Sequence, residues 1–195
     1  MKRNNVCGLL LSVLTVFTLF SCQKKSGIPS YSFSYCSGAE TDYQNSCYYT
    51  DDYFSSPATT YNASLATASL CMAMSSFASN KNKSNSDYSY RYKNSQAFFS
   101  SAGFIGIATN GDYQKKPGTD TIGVVYARKK LGDATMIGIG IRGANYEQEW
   151  SSNFTLGKYS DNPYHQGFYK AATDLLSGLN TYIDNQSITG KIKIW

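Results

Sequence analysis

Histidine is nearly missing from this chain of 195 residues, which has one, His165. A Ser-His-Asp relay needs an imidazole as its general base, and the sequence also lacks any Gly-x-Ser-x-Gly nucleophile elbow. With one histidine and no Cys-x-x-Cys pair, a structural zinc site is excluded. Asn110-Gly111-Asp112 and Asp120 lack the acid ladder and terminal glutamate of a calcium loop, so no metal is expected. Charged residues make up only 16%, and four prolines with 16 glycines exclude collagen-like or proline-rich sequence. No apolar run reaches the roughly 20 residues of a membrane-spanning helix.

Charge of one sign is missing as well. The formal net charge of +5 falls to +3 once Lys2 and Arg3 are set aside with the leader described below. The one basic triplet, Arg128-Lys129-Lys130, extends into no stripe and reads as a solvated strand end or turn, so no nucleic-acid partner is expected. Carboxylate pairs such as Glu147 and Glu149 read as solubilising surface charge.

What the chain does have is apolar and aromatic matter, 42% hydrophobic and 15% aromatic with 17 tyrosines, enough for one folded domain. Its first residues have the parts of an export signal. Lys2-Arg3 is followed by an apolar stretch from Val6 to Phe20 and then Ser21-Cys22. Leu19-Phe20-Ser21-Cys22 resembles the lipobox of bacterial lipoproteins, although Phe20 is bulkier than usual there. That resemblance implies a signal peptide over 1–21, acylation of Cys22, and a membrane partner through the lipid anchor. It places the chain in the bacterial cell envelope, outside the cytoplasm.

Cys36, Cys47 and Cys71 then remain. Cys36 and Cys47 can close a small loop, and Cys71 reads as a small buried hydrophobe. Residues 22–53, rich in Ser and Tyr without period, read as a flexible tether. Beyond it, 54–195 forms the domain. Leu65, Ala68, Cys71, Met72 and Ser75 recur at helical spacing over 62–78, and a second helix is expected over 92–101. Strands are expected near 104–108, 121–129, 134–141 and 191–195. A long helix near 164–184 carries a stripe of Phe168, Ala171, Ala172, Leu175, Leu176, Leu179, Tyr182 and Ile183. Strand, helix, strand is the closing order, so 191–195 should lie parallel to 134–141. The fold class is α/β.

Gly138-Ile139-Gly140-Ile141-Arg142-Gly143 spells G-x-G-x-x-G, the dinucleotide fingerprint, yet isoleucines alternate through it as in a continuing strand and no amphipathic helix follows. No cofactor is expected. Glycines that let a helix pack close to the strand account for the motif better.

Three pieces in order resemble the class 3, fungal-type lipases: Thr135 to Gly143, then Glu149-Trp150-Ser151-Ser152-Asn153, then His165-Gln166-Gly167-Phe168. That resemblance implies an incomplete α/β-hydrolase-like sheet. It makes Ala144 the oxyanion-hole candidate, through its backbone N–H and without the usual hydroxyl, and it makes Arg142 and Trp150 wall residues of the site. His165 carries over as structural only. The family's serine nucleophile follows the strand that corresponds to Lys191–Trp195, so no catalytic residue is assigned here. The expectation is a lipase-like ester hydrolase portion, inactive alone, that meets a lipid or ester substrate only if a downstream segment completes it. The alternative is a non-catalytic anchored lipoprotein with a binding or structural role.

Overall fold

A computed structural model describes residues 28–35, 43–77, 92–110, 122–142, 158–159 and 162–195. Helix α1, Ala63–Ser75, starts where Asn62 accepts a hydrogen bond from the Leu65 N–H at 3.0 Å, which satisfies one of the donors a helix start leaves open. Ala68, Cys71, Met72 and Ser75 are its buried residues, on the spacing expected. Helix α2, Lys93–Ser101, buries Ser95, Phe98 and Phe99.

Strands β3 (Ile105–Thr109), β4 (Val124–Leu131), β5 (Ala134–Ile141) and β8 (Lys191–Ile194) form one sheet in the order β3-β4-β5-β8. The β4–β5 hairpin turns at Gly132, whose φ of +61° suits glycine. Strands β3, β4 and β5 are antiparallel neighbours, and β8 lies parallel to β5 with Ala134 opposite Lys191 and Ile137 opposite Ile194. Helix α3, Gln166–Asn185, connects β5 to β8 from one face, so the parallel crossover expected from the sequence is present. The fold is α/β around a mixed four-stranded sheet.

Alternation along β4 and β5 sorts side chains to two faces. Val125, Ala127 and Met136 join Phe98, Phe99, Phe104, Ala68, Cys71 and Met72 on the α1–α2 face. Val124, Tyr126 and Ile137 join Tyr182, with Leu175, Leu179, Ile183 and Ile192 half-buried around them, on the α3 face. Two glycines set how close the helices come. A Cβ on Gly138 would collide with the ring of Phe99, and one on Gly178 would sit 2.5 Å from the Tyr126 hydroxyl, which donates to the Leu175 carbonyl at 3.1 Å.

Four expectations change. First, the stretch expected to be tether folds in part. Ile28–Tyr35 (β1) pairs antiparallel with Tyr43–Tyr49 (β2), a 3-10 turn follows over Asp51–Phe54, and Cys47, Tyr49 and Tyr53 enter the core. Second, the stripe on α3 is narrower than the sequence suggested. Phe168 and Leu176 are exposed, Leu176 at 57%, because Leu175, Leu179, Tyr182 and Ile183 span the arc that meets the sheet. Third, the basic triplet lies at the end of β4, as one of its two expected readings had it, but only Lys130 is exposed, since Arg128 Nε donates to Gln186 Oε1 at 3.0 Å and Lys129 is drawn into the core margin. Fourth, a short β6–β7 pair, Lys158–Tyr159 with Asn162–His165, precedes α3 and had no sequence signal.

Trp195 ties the two ends of the fold together. Its N–H donates to the Ile137 carbonyl and its carbonyl accepts from Ile139, both at 2.8 Å, which adds one more rung to the β5–β8 ladder. Its indole packs 5.5 Å from the Tyr49 ring, 5.4 Å from Phe54 and 5.9 Å from Phe104, while Nε1 donates to Ser69 Oγ at 2.8 Å. Such aromatic pairs add about 0.5–1.5 kcal/mol each beyond the area they bury.

Candidate functional site

In open α/β sheets, ligands bind outside the carboxyl ends of parallel strands. Here that end of β5 carries Arg142, whose N–H donates to the Gly123 carbonyl at 2.9 Å and continues the β4–β5 ladder past the strand's last residue. Arg142 is only 5% exposed. Two neighbours brace the same end. The Ser76 hydroxyl reaches the Ile141 carbonyl at 3.1 Å from the close of α1. Asn110, at the end of β3, spans the strand gap, donating through Nδ2 to the Ile122 carbonyl at 2.6 Å and accepting from the Val124 N–H at 3.1 Å.

Hydroxyls cluster close by, but they are used structurally. Ser75 Oγ donates to the Met72 carbonyl at 2.7 Å, and Ser95 Oγ donates to the Ser75 carbonyl at 3.0 Å. A hydroxyl has one proton, so neither hands it to a base, and neither is an activated nucleophile. Both serines are fully buried, and their bonds join the ends of α1 and α2.

His165 sits at the N-cap of α3, where Nδ1 accepts from the Phe168 N–H at 3.5 Å and the ring lies 4.6 Å from the Phe168 ring. Its placement is structural, as expected. Gly138 and Gly140 lie inside β5 against Phe99 and Met72, so they serve close packing and mark no phosphate loop. Ala144, Trp150 and Cys22 lie outside the described residues, as does the signal over 1–21. Of the expected site residues, Arg142 alone lies among the described residues. Among the described residues, no group of three or more His, Cys, Asp or Glu is arranged to hold a metal ion, and no helix is long and apolar enough to cross a membrane.

Two arrangements escaped the sequence reading. Lys129 Nζ pairs with Asp51 Oδ1 at 2.7 Å, donates to the Ala102 carbonyl at 2.9 Å, and lies over the rings of Tyr49 (4.9 Å) and Phe104 (5.9 Å). The Tyr49 hydroxyl donates to the same carboxylate at 2.8 Å, and burial, followed by that carboxylate, pushes the phenol well above its usual range. The second is the meeting of Cys47 with Cys71 in one core. Its signal was present in the alternation Asn45, Cys47, Tyr49, which the Tyr- and Ser-rich composition around it concealed.

No protein-family model matches the chain, and no curated protein or solved structure matches it.

Proposed function

We propose that this chain is a membrane-anchored lipoprotein whose folded part is the sheet-building portion of a lipase-like ester hydrolase, and that these residues alone do not turn over esters. The observation that supports it best is the β5–α3–β8 parallel crossover with Arg142 buried at the carboxyl end of β5, the end where such sheets take ligands. In this reading Arg142 and Trp150 shape the wall of the site, and the Ala144 N–H faces the developing oxyanion. His165 keeps its capping role. An ester needs a nucleophile paired with a base, and the one imidazole in the sequence spends Nδ1 on a helix cap.

The purified chain should leave short- and long-chain p-nitrophenyl esters unhydrolysed. Turnover that His165→Ala abolishes would overturn this assignment. The coding sequence directly past the Trp195 codon tests the family reading, since a Gly-x-Ser elbow is expected there and any other sequence removes the lipase-like interpretation. For the anchor, Cys22→Ala should move the protein from the membrane fraction to the soluble fraction, and equal membrane content in variant and parent would refute acylation.

A further inference from the structure

Cys47 lies on β2 and Cys71 on α1, and both are closed off from solvent, at 4% and 2% exposed. Along β2, alternate side chains share a face, so Asn45, Cys47 and Tyr49 all point toward the α1–α2 core while Ser46 is exposed. Asn45 Nδ2 lies 3.6 Å from Cys71 Sγ and 3.6 Å from Met74 Sδ, which fixes the side of α1 that β2 meets. Both are free thiols in this structure and share one core, with Cys47 Sγ donating to the Tyr48 carbonyl at 3.4 Å. From the sequence, Cys36 with Cys47 is a candidate small loop and Cys71 a small buried hydrophobe; Cys36 lies outside the described residues.

We propose that Cys47 and Cys71 form a disulfide that crosslinks β2 to α1 and so fastens the β1–β2 hairpin to the sheet domain. The bond closes a loop of about 25 residues, a length at which a crosslink removes substantial freedom from the unfolded chain. Because neither sulfur is reachable once α1 has seated on β2, the exchange belongs to folding. The Cys71 thiolate attacks one sulfur of an oxidising disulfide, either glutathione disulfide or the active-site disulfide of a thiol oxidoreductase, and expels one thiolate, which takes up a proton. Cys47 gives its proton to water and attacks the Cys71 sulfur of the mixed disulfide, expelling the second thiolate. Two protons and two electrons leave the protein, and the oxidant's one disulfide becomes two thiols.

In the reduced pair, interaction with Cys47 lowers the Cys71 thiol to about 7, against burial and with help from Asn45, while the same interaction and burial push Cys47 up.

Formation in cells depends on the export reading, because cytoplasmic thiols are kept reduced. The pair itself is tested apart from that reading. The full chain is refolded in a glutathione redox buffer, acid-trapped, alkylated and digested. A peptide joining Cys47 to Cys71, lighter by two hydrogens, is the expected product. A link from either partner to another cysteine, or alkylation of both Cys47 and Cys71, would overturn the proposal. Dithiothreitol should lower the melting temperature of the oxidised chain by roughly 5–12 °C and leave a Cys47→Ala/Cys71→Ala double variant unmoved. Equal sensitivity in both also overturns it. A link formed in the buffer but missing from protein recovered from cells counts against export and supports the pair.

Discussion

The sheet has two faces, and they are built differently. On the α1–α2 face the core runs from β2 through the 3-10 turn, both helices and the start of β3, with Phe98, Phe99, Phe104, Tyr49 and Trp195 in mutual ring contact. On the α3 face four residues are fully buried, Val124, Tyr126, Ile137 and Tyr182, and the helix that covers them leaves Phe168 and Leu176 in solvent. Elements distant in sequence close the first face, and one local crossover closes the second. The first therefore carries most of the apolar stabilisation, at about 1.5–3 kcal/mol per fully buried large side chain, and the second relies more on single hydrogen bonds such as Tyr126 to Leu175 and Tyr182 to Gly106.

The sharpest test of this contrast is to empty each face in turn. Phe99→Ala removes a fully buried ring that touches Phe98 and Phe104 and should cost about 3–5 kcal/mol in urea unfolding. Leu179→Ala, half-buried under α3, should cost less than about 2 kcal/mol. Equal losses would show that the two faces share the stability evenly. Filling space is the reverse test. Gly138→Val places a branched side chain where the Phe99 ring lies, and since Phe99 has no room to retreat, overpacking of about 1–3 kcal/mol or more is expected, read as a lower melting temperature.

The same contrast explains what the sequence made visible. Helices α1 and α2, strand β5 and the parallel placement of β8 were legible because each has a clean period, and strand–helix–strand order leaves few topologies. The role of β2 was not legible. Its inward residues Asn45, Cys47 and Tyr49 are one polar, one thiol and one phenol, so a rule that looks for alternating aliphatics passes over them. Lys129 escapes a sequence reading for a related reason, because a charge can enter a core margin when Asp51, the Ala102 carbonyl and two aromatic faces receive it together, and those partners come from two distant segments, 49–51 and 102–104. At the candidate site, the burial of Arg142 depends on β4, through the Gly123 carbonyl, and could not be read from β5 alone.

Tyr182 sharpens the comparison further, at a smaller scale. Its hydroxyl donates to the Gly106 carbonyl at 2.9 Å, where β3 bulges, so Tyr182→Phe should cost about 1–2 kcal/mol by leaving that carbonyl without its donor. Burial holds its phenol up at about 12, slightly offset by Arg128, against an ordinary value of 10.0. The protonated form is the one the fold favours. Its contribution is therefore complete below pH 10 and is lost as pH rises toward 12. Tyr182→Phe should flatten that part of an alkaline unfolding curve while leaving a residual fall, because Tyr49 and Tyr53 on the opposite face are also pushed up by burial.

The smallest effect expected is the most discriminating. Leu175 and Leu176 are adjacent on α3, identical in chemistry, and share the helix's apolar half in any reading of the sequence. The structure separates them: Leu175 packs against Val124, Tyr126 and Ile137, and Leu176 is 57% exposed. A charge at Leu175 would have to be desolvated against a tyrosine whose hydroxyl is bound to the Leu175 carbonyl, whereas a charge at Leu176 stays in water. Leu176→Asp should therefore change stability by no more than about 0.5 kcal/mol, the range of ordinary surface substitutions, and Leu175→Asp should cost several times that. If instead Leu176→Asp unfolds the β5–α3–β8 unit as strongly as Leu175→Asp, then a further layer covers the outer side of α3. The thin face would then be an interface in its own right, and the two faces of the sheet would be alike after all.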